Sequence, residues 1–287
     1  MASGLQLGGL EPVGPPITPR PRPQQIWVHS CCSKDKLERA LSDPNVTAIE
    51  ADIMMGGTPM VGGGGGSYSS SDDEPGRFPI MAHPPVISRK PPASDLTFTE
   101  FLERCMADGA RHLKLDFKEL AAVEPCLVQL AARWRQLNAN GQAIYLNADV
   151  LPGPNCRKRV EIPASSFVPL CRKWCPFAYL SLGWRVWAIG PEEAYSEHDT
   201  LEMARVVGEY GLPGSSVVFA ASLRLAERAC PAISSLLKQV PDSQMLLWTG
   251  YGEAPVPAAL RARVQRQLSS MGVGERFGFD AARRRAL

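Results

Sequence analysis

The chain has 287 residues, of which 45% are hydrophobic and 21% charged, and its formal net charge at pH 7 is +2. This composition is typical of a soluble globular protein with a substantial core. The balanced charge, with basic residues scattered along the chain, argues against a nucleic-acid polymer as partner, and no stretch approaches the ~18 consecutive apolar residues of a transmembrane helix.

The first segment, residues 1–24, is rich in proline and glycine, which predicts a flexible leader that contributes no packing. It lacks a basic region followed by a sustained apolar run, so it does not resemble a signal peptide. A cytoplasmic protein is therefore expected, with an extracellular location left open. The eight cysteines include no CxxC pair. Reduced, mostly structural thiols are favoured, although an even count permits disulfides in an exported protein.

From residue 25 onward, short apolar runs alternate with segments of helical period. Predicted strands cover residues 25–30, 48–55, 112–118, 143–150, 178–184, 216–222, 244–250 and 276–281, with a further short run at 78–84. Predicted helices cover residues 34–42, 97–109, 123–137, 166–175, 200–211, 226–240 and 257–272. Eight strands separated by helices predict an α/β fold, a (β/α)8 TIM barrel, as a single domain over residues 25–287.

Two features of the chain bear on the alternatives to a barrel. An open, doubly wound sheet stays possible, but its GxGxxG phosphate-binding turn is absent after the first strand. The glycine-rich stretch at about 56–77 does not fit that motif. It predicts a long, mobile loop after the second strand, which could gate the mouth of the barrel.

Polar residues concentrate late in the predicted strands, where the working site of such a barrel lies. In chain order, they are His29 on the first strand, Glu50 and Asp52 on the second, His83 after the short run, and Lys114, Asp116 and Lys118 on the third. On the third strand, charged residues alternate with Leu115 and Phe117. Because helices cover the outside of a barrel, the charged set is expected to point inward.

Three carboxylates, those of Glu50, Asp52 and Asp116, would then crowd one barrel mouth. A hard divalent cation, Mg²⁺ or Ca²⁺, is the natural compensation because both ions prefer oxygen ligands. Lys114 or Lys118 could neutralise part of the charge or hold an anionic substrate. The alternative is a structural salt bridge between these acids and the lysines, with no metal.

The histidines on either side of this cluster suit general acid and general base catalysis near neutral pH. With a cation and a lysine to stabilise charge on phosphate oxygens, His29 and His83 indicate phosphodiester cleavage. Either histidine alone could instead be a hydrogen-bonded structural residue. His112 and His198 receive no role.

Two further residues are candidates for substrate binding. Asn147 ends the fourth strand together with Asp149, and Trp248 lies near the end of the seventh. Asn147 and Asp149 could instead cap the next helix, and Trp248 could belong to the core or the barrel rim.

The strings "WVHS", "IEADI", "PIMAHPP", "LKLDFK" and "YLNADVLPGP", in that order, resemble the menorin family, also called family with sequence similarity 151. The resemblance extends from about Trp27 to the C-terminus, and the lack of a membrane segment makes the chain similar to the shorter, B-type members. That family in turn resembles the phospholipase C-like phosphodiesterase superfamily of TIM barrels, which includes the glycerophosphodiester phosphodiesterases.

The second resemblance implies roles for individual residues. His29 and His83 would be the catalytic pair, Lys118 would contact the phosphate and Trp248 would line the pocket. Glu50, Asp52 and Asp116 would be the metal ligands. The chain departs from the glycerophosphodiesterase pattern at two positions, and both departures bear on the substrate more than on the metal site. Ser30-Cys31 follow the first histidine where those enzymes have Arg-Gly. Pro84 follows the second histidine where they commonly have Asp.

The sequence thus predicts a metal-dependent phosphodiesterase, a hydrolase or lyase, that acts on a small or lipid-derived phosphodiester. Hydrolysis and formation of a cyclic phosphate both stay open. The alternative is a non-catalytic interaction or signalling protein on a degenerate barrel, since a fold does not determine a function. A protein partner would fit either hypothesis, and the sequence does not specify one.

Overall fold

The structure is a computed structural model that describes residues 25–56, 77–84, 92–156, 159–186, 190, 192–250, 254 and 256–280. The predicted leader over residues 1–24 lies outside the described residues. So does most of the predicted glycine-rich loop, residues 57–76.

The described residues form nine strands. In chain order they are β1 (Trp27–Val28), β2 (Ala48–Gly56), β3 (Phe78–Met81), β4 (His112–Phe117), β5 (Ile144–Pro152), β6 (Tyr179–Arg185), β7 (Val217–Ser222), β8 (Gln244–Trp248) and β9 (Phe277–Asp280). Eight of them run parallel in the order β1-β2-β4-β5-β6-β7-β8-β9, while β3 pairs antiparallel with β2 beside this path. Because β9 also contacts β1, the sheet is a nearly closed barrel, and the predicted α/β barrel class is confirmed.

Helices connect the strands and cover the outside of the barrel. They are α1 (Lys34–Ser42), α2 (Phe98–Asp108), α3 (Leu120–Ala139), α4 (Ala164–Trp174), α5 (Glu197–Glu209), α6 (Leu223–Ala226), α7 (Cys230–Gln239) and α8 (Ala258–Ser270). Capping boxes at Thr97 and Ser196 begin α2 and α5 by satisfying backbone N–H groups that have no partner within the helix. The helix predicted over 226–240 begins instead at Cys230, because Pro231 suits only the first turn of a helix.

One end of the barrel interior is filled with apolar side chains. Trp27, Tyr145, Tyr179, Val218 and Leu246 form a buried cluster at the early positions of their strands. The rings of Tyr145 and Tyr179 stack with centroids 5.0 Å apart, and Trp27 meets Tyr145 edge-on at 5.9 Å. This cluster fills the N-terminal end of the barrel, so the polar residues of the same strands lie toward the C-terminal end.

Two observations bear on the cysteines and on membranes. All eight cysteines lie in the described part of the chain and are free thiols, and all but Cys32 are buried. Within the described residues, no helix combines the length and the apolar character that a membrane crossing requires.

Candidate active site

The register between β2 and β4 brings the predicted charged residues side by side. Glu50 pairs with Lys114, and Asp52 pairs with Asp116. Because side chains alternate between the two faces of a strand, all four share the face opposite the apolar residues Ile49, Ile53, Leu115 and Phe117. The burial of these apolar residues under the helices therefore sets the direction of the charged ones.

The carboxylates of Glu50, Asp52 and Asp116 converge. One oxygen from each lies within 4.8 Å of the others, and the three residues are 0%, 3% and 7% exposed. Glu50 Oε1 and Asp116 Oδ1 are buried without a hydrogen-bond partner among the described residues. Buried acceptors left in this state are costly, and a divalent cation that prefers oxygen ligands would satisfy both. The three residues therefore fit a Mg²⁺ or Ca²⁺ site.

Lys118 compensates part of this negative charge. Its Nζ lies 2.7 Å from Asp116 Oδ2 and 3.2 Å from Asp52 Oδ1. Burial acts to lower the pKa of Lys118, but Asp116, Asp52 and Asp149 outweigh it and hold the pKa well above its usual value. The ammonium is therefore charged and fixed between two of the three candidate metal ligands.

His29 lies just beyond β1, against the same cluster. Its Nδ1 is 2.9 Å from Glu50 Oε2 and 3.4 Å from either carboxylate oxygen of Asp280. The backbone N–H of Ser30 also donates to Glu50 Oε2, at 2.5 Å. Burial acts to lower the pKa of His29, but Glu50 and Asp280 raise it well above 6.5. The imidazole is thus held as a cation whose Nδ1 is occupied, which leaves Nε2 for a substrate.

Asp280 at the end of β9 is a member of this network that the sequence reasoning missed. Its Oδ2 lies 3.0 Å from Lys114 Nζ, and both residues are at most 1% exposed. Burial acts to raise the pKa of Asp280, but Lys114 and His29 lower it to about 2. An inward carboxylate at the end of a predicted strand, as on the second and third strands, was a signal that could have found it.

This pairing changes the role of Lys114. Substrate binding was one of its two predicted roles, charge compensation the other. Its side chain borders the cavity but is almost wholly buried and ion-paired with Asp280. Asp280, Glu50 and Asp116 raise its pKa against the effect of burial. Lys114 therefore fits charge compensation, and Lys118, with 20% of its side chain exposed, is the lysine that a substrate can reach.

The remaining predicted residues lie around the same space. His83 follows β3, and its Nδ1 is 2.8 Å from the carbonyl oxygen of Pro84. Asn147 Oδ1 accepts a hydrogen bond of 2.6 Å from Ser181. Asn147 and Asp149 do not cap the next helix, because α4 begins only at Ala164. Trp248 ends β8, level with Asp280 in the register.

A cavity of about 750 Å³ joins these residues. Of the predicted site residues, all but the fully buried Glu50 line it: His29, Asp52, His83, Lys114, Asp116, Lys118, Asn147 and Trp248. Asp149, Glu161, Arg185 and Arg224 also line it, and the sequence reasoning gave none of them a role in the site. The volume is that of a pocket for a small organic ligand.

The position of the Asp149 side chain depends on Gly183, its partner on the neighbouring strand. On the neighbouring strand, a Cβ at Gly183 would lie 2.6 Å from Asp149 Oδ1, so only glycine leaves room for this carboxylate. Burial raises the pKa of Asp149 to about 6, with Lys118 acting in the opposite direction. The site thus contains a carboxyl group that titrates close to neutral pH.

Comparison with known proteins gives a family. The model of the menorin N-terminal domain matches residues 24–270. Protein FAM151B of Homo sapiens is 32% identical over 238 residues, which cover 82% of this chain and 75% of the human protein.

Similarity to solved structures is weaker. A putative phosphonomutase from Burkholderia cenocepacia J2315 superposes with a TM-score of 0.43 at 10% identity, covering 91% of this chain and 87% of that one. Deoxyribose phosphate aldolase from Aeropyrum pernix superposes with a TM-score of 0.38 at 11% identity, covering 64% and 69%. Similarity at this level carries no information on activity.

Proposed function

The chain belongs to the menorin family, and we propose that it is a divalent-metal-dependent phosphodiesterase that cleaves a small or lipid-derived phosphodiester with His29 and His83. Family membership by itself implies no activity, so the proposal depends on the site. The observation that carries it is a pair of buried oxygens, Glu50 Oε1 and Asp116 Oδ1, which find no hydrogen-bond partner in the part of the chain that the structure describes. They belong to a carboxylate cluster beside a cavity lined by two imidazoles.

Glu50, Asp52 and Asp116 would hold the cation, Mg²⁺ or Ca²⁺. Four carboxylates, including that of Asp280, face two ammonium groups and one imidazolium, so the network carries an excess of negative charge. A bound divalent cation would more than offset this excess of one negative charge and would polarise the phosphoryl oxygens.

The contacts of the two histidines support different roles. His29 carries its charge through Glu50 and Asp280, so its Nε2 can donate a proton to the leaving alkoxide as the P–O bond breaks. His83 Nδ1 carries a hydrogen, because the Pro84 carbonyl oxygen can only accept. In the neutral ring Nε2 then holds the lone pair, so His83 can take the proton of the attacking hydroxyl.

Lys118 and Trp248 would bind the substrate. Lys118 carries a charge that can stabilise the non-bridging phosphate oxygens, and Trp248 offers an aromatic wall. The phospholipase C-like type of barrel is part of the same proposal. Its support is the order of four features along the chain. His29 lies just after β1, Glu50-x-Asp52 is on β2, His83 follows β3, and Asp116-x-Lys118 spans the end of β4 and the residue after it.

The experiment is a panel of phosphodiesters assayed with Mg²⁺ or Ca²⁺ and again after chelation. The panel includes glycerophosphodiesters, lysophospholipids and nucleotide-containing diesters. Turnover of at least one compound that stops on chelation and returns with metal is expected. Product analysis then distinguishes the monoester of hydrolysis from a cyclic phosphate. No turnover of any compound in the panel would reject the proposal.

One observation favours a second candidate, a non-catalytic interaction protein. Lys118 already occupies the space between Asp52 and Asp116, so the acids are compensated in part without a metal. Calorimetric titration with Mg²⁺ and Ca²⁺ separates the two. Binding to the wild type that is lost in Asp52→Asn favours the enzyme, and no binding at millimolar metal favours the interaction protein.

A further inference from the structure

The cavity has a second cationic region that the proposed chemistry does not use. Arg185 is the last residue of β6, and Arg224 follows β7 by two residues. Both line the cavity together with His29, Asp52 and Lys118. Neither contacts the carboxylate cluster through any hydrogen bond or ion pair recorded for the described residues.

The strand order places these arginines across the barrel from the catalytic residues. In the path β1-β2-β4-β5-β6-β7-β8-β9, β6 is four strands from β1 in either direction around the barrel, and β7 is four strands from β2. Arg185 is therefore opposite His29, and Arg224 is opposite Asp52. The proposed catalytic and metal-binding residues thus line the cavity wall next to β1, β2 and β4. The two arginines line the opposite wall, next to β6 and β7.

The guanidinium of Arg185 is anchored in a way that leaves donors available. Its Nη1 donates to the carbonyl oxygen of Arg159 at 2.9 Å and to Glu161 Oε1 at 3.0 Å. No hydrogen bond of Nε or Nη2 is recorded among the described residues. Nε and Nη2 form the edge of a guanidinium that binds the two oxygens of a phosphate or carboxylate as a fork.

The surroundings permit an anion at this edge. The side chain of Arg185 is 21% exposed, whereas that of Glu161 is 67% exposed, so water screens the glutamate more than the arginine. Arg224 adds a second positive charge from the next strand, and its Nη2 donates to the carbonyl oxygen of Ala254. Bonds to backbone carbonyls hold both guanidinium groups in place, and the carboxylate that pairs with Arg185 is that of the exposed Glu161.

We infer that Arg185, with Arg224 beside it, forms a second anion-binding subsite, which receives a distal phosphate monoester or carboxylate of the substrate. The inference rests on the proposed function and narrows it. The substrate is a phosphodiester that carries a second anionic group, with its diester at His29, Asp52 and Lys118 and its second anion at Arg185.

The first test measures binding alone and needs no turnover. Inorganic phosphate is titrated calorimetrically, with chelator present, into the full chain and into Arg185→Gln. Charge-assisted bonds of this kind correspond to about 10–100-fold in affinity, so the variant is expected to bind phosphate at least about 10-fold more weakly. Arg172→Gln is the matched control, because Arg172 is exposed on α4, far from the cavity lining, and donates a hydrogen bond to the carbonyl oxygen of Tyr210. Equal binding by wild type and Arg185→Gln would overturn the inference.

The second test uses three glycerol phosphodiesters that differ only in a distal hydroxyl, phosphate or carboxylate. The wild type is expected to show a KM about 10–100-fold lower for the phosphate or the carboxylate compound than for the hydroxyl compound, and the lower of the two identifies the anion. Arg185→Gln should remove this advantage by raising the KM of the anionic compound toward that of the hydroxyl compound, whereas Arg172→Gln should keep it. Arg185→Lys should restore only part of it, since an ammonium lacks the fork. A similar rise of KM for all three compounds would overturn the inference.

The two proposals can fail separately. Phosphate binding that depends on Arg185, without turnover of any diester, would support the subsite and reject the proposed phosphodiesterase activity. Turnover with no preference for a second anion retains the enzyme and rejects the subsite.

Discussion

His29 and Asp280 join the first and last strands of the barrel sheet: Nδ1 of the histidine, just after the first strand, lies 3.4 Å from the carboxylate that ends the last strand. The contact links residues 251 positions apart in the chain. Lys114, on β4, is bound to the same carboxylate. The orientation of the candidate catalytic imidazole therefore depends on the closure of the sheet.

Replacing His29 with alanine should abolish most turnover while leaving the fold intact. General acid catalysis contributes roughly 10²–10⁴-fold to a rate, so kcat should fall by that factor on whichever diester is cleaved. Circular dichroism and thermal unfolding should show a folded protein. His198→Ala, at an exposed position on α5, is the matched control and should keep full activity. Undiminished turnover in His29→Ala would remove this residue from the mechanism.

Asp116→Asn should weaken binding of Mg²⁺ or Ca²⁺ by at least about 10-fold, because it replaces a charged oxygen ligand with a neutral amide. Calorimetric titration and the rise in melting temperature on adding metal measure the effect. Asp35→Asn, in an exposed ion pair with Arg39 on α1, should leave metal binding unchanged. Identical affinities in all three proteins would show that the cluster is not the metal site.

Lys114→Met should destabilise the fold by about 3 kcal/mol, because it leaves the buried Asp280 carboxylate without its lysine partner. Urea unfolding gives the free energy. Lys173→Met removes an exposed pair with Glu124 and should leave the free energy of unfolding nearly unchanged. Equal losses in the two variants would contradict a structural role for the Lys114–Asp280 pair.

Asp280 should make stability depend on acid pH. Its pKa is lowered in the folded state to about 2, against about 3.9 for an unfolded aspartate. A lowered folded pKa stabilises the fold above the unfolded pKa, and this contribution is lost as the pH falls from about 4 toward 2. The difference in unfolding free energy between wild type and Asp280→Asn should therefore be largest near pH 6 and shrink below pH 4. A difference that stays constant from pH 6 to pH 3 would argue against the lowered pKa.

Gly183→Ala should cost about 1–3 kcal/mol, as expected of overpacking, because its Cβ would lie 2.6 Å from Asp149 Oδ1. The cost should be smaller in an Asp149→Ala background, where the clashing oxygen is absent. Gly208→Ala, on α5 with nothing within 4 Å of its Cβ, should instead raise stability by roughly 0.5–1 kcal/mol. Thermal unfolding of the wild type, the three single variants and the double variant tests these signs.

Much of the fold could be predicted because its signals are local. Alternation of charge and apolar residues along "HLKLDF" depends only on strand geometry, and the predicted strand closely matches β4. The predicted start of the helix over 226–240 was wrong, because a proline changes where a helix can begin without disturbing the apolar period of the sequence.

The site was predictable only in part. Glu50, Asp52 and Asp116 could be grouped because they lie on neighbouring strands of a predicted barrel. Which residues compensate the charge of this cluster could not be predicted. Asp280 meets its partners, and Arg185 takes its place opposite His29, through strands far away in the sequence. No local pattern shows which groups a closed sheet brings face to face.

By itself, the sequence determined the barrel class, the family and the inward direction of the acidic residues, because hydrophobic period and short strings are properties of neighbours along the chain. The tertiary structure decided which lysine stays exposed to the cavity, which buried oxygens have no partner among the described residues and which arginines lie opposite the histidine. Those depend on strand register and on closure of β9 against β1, where interactions act through space between distant parts of the chain.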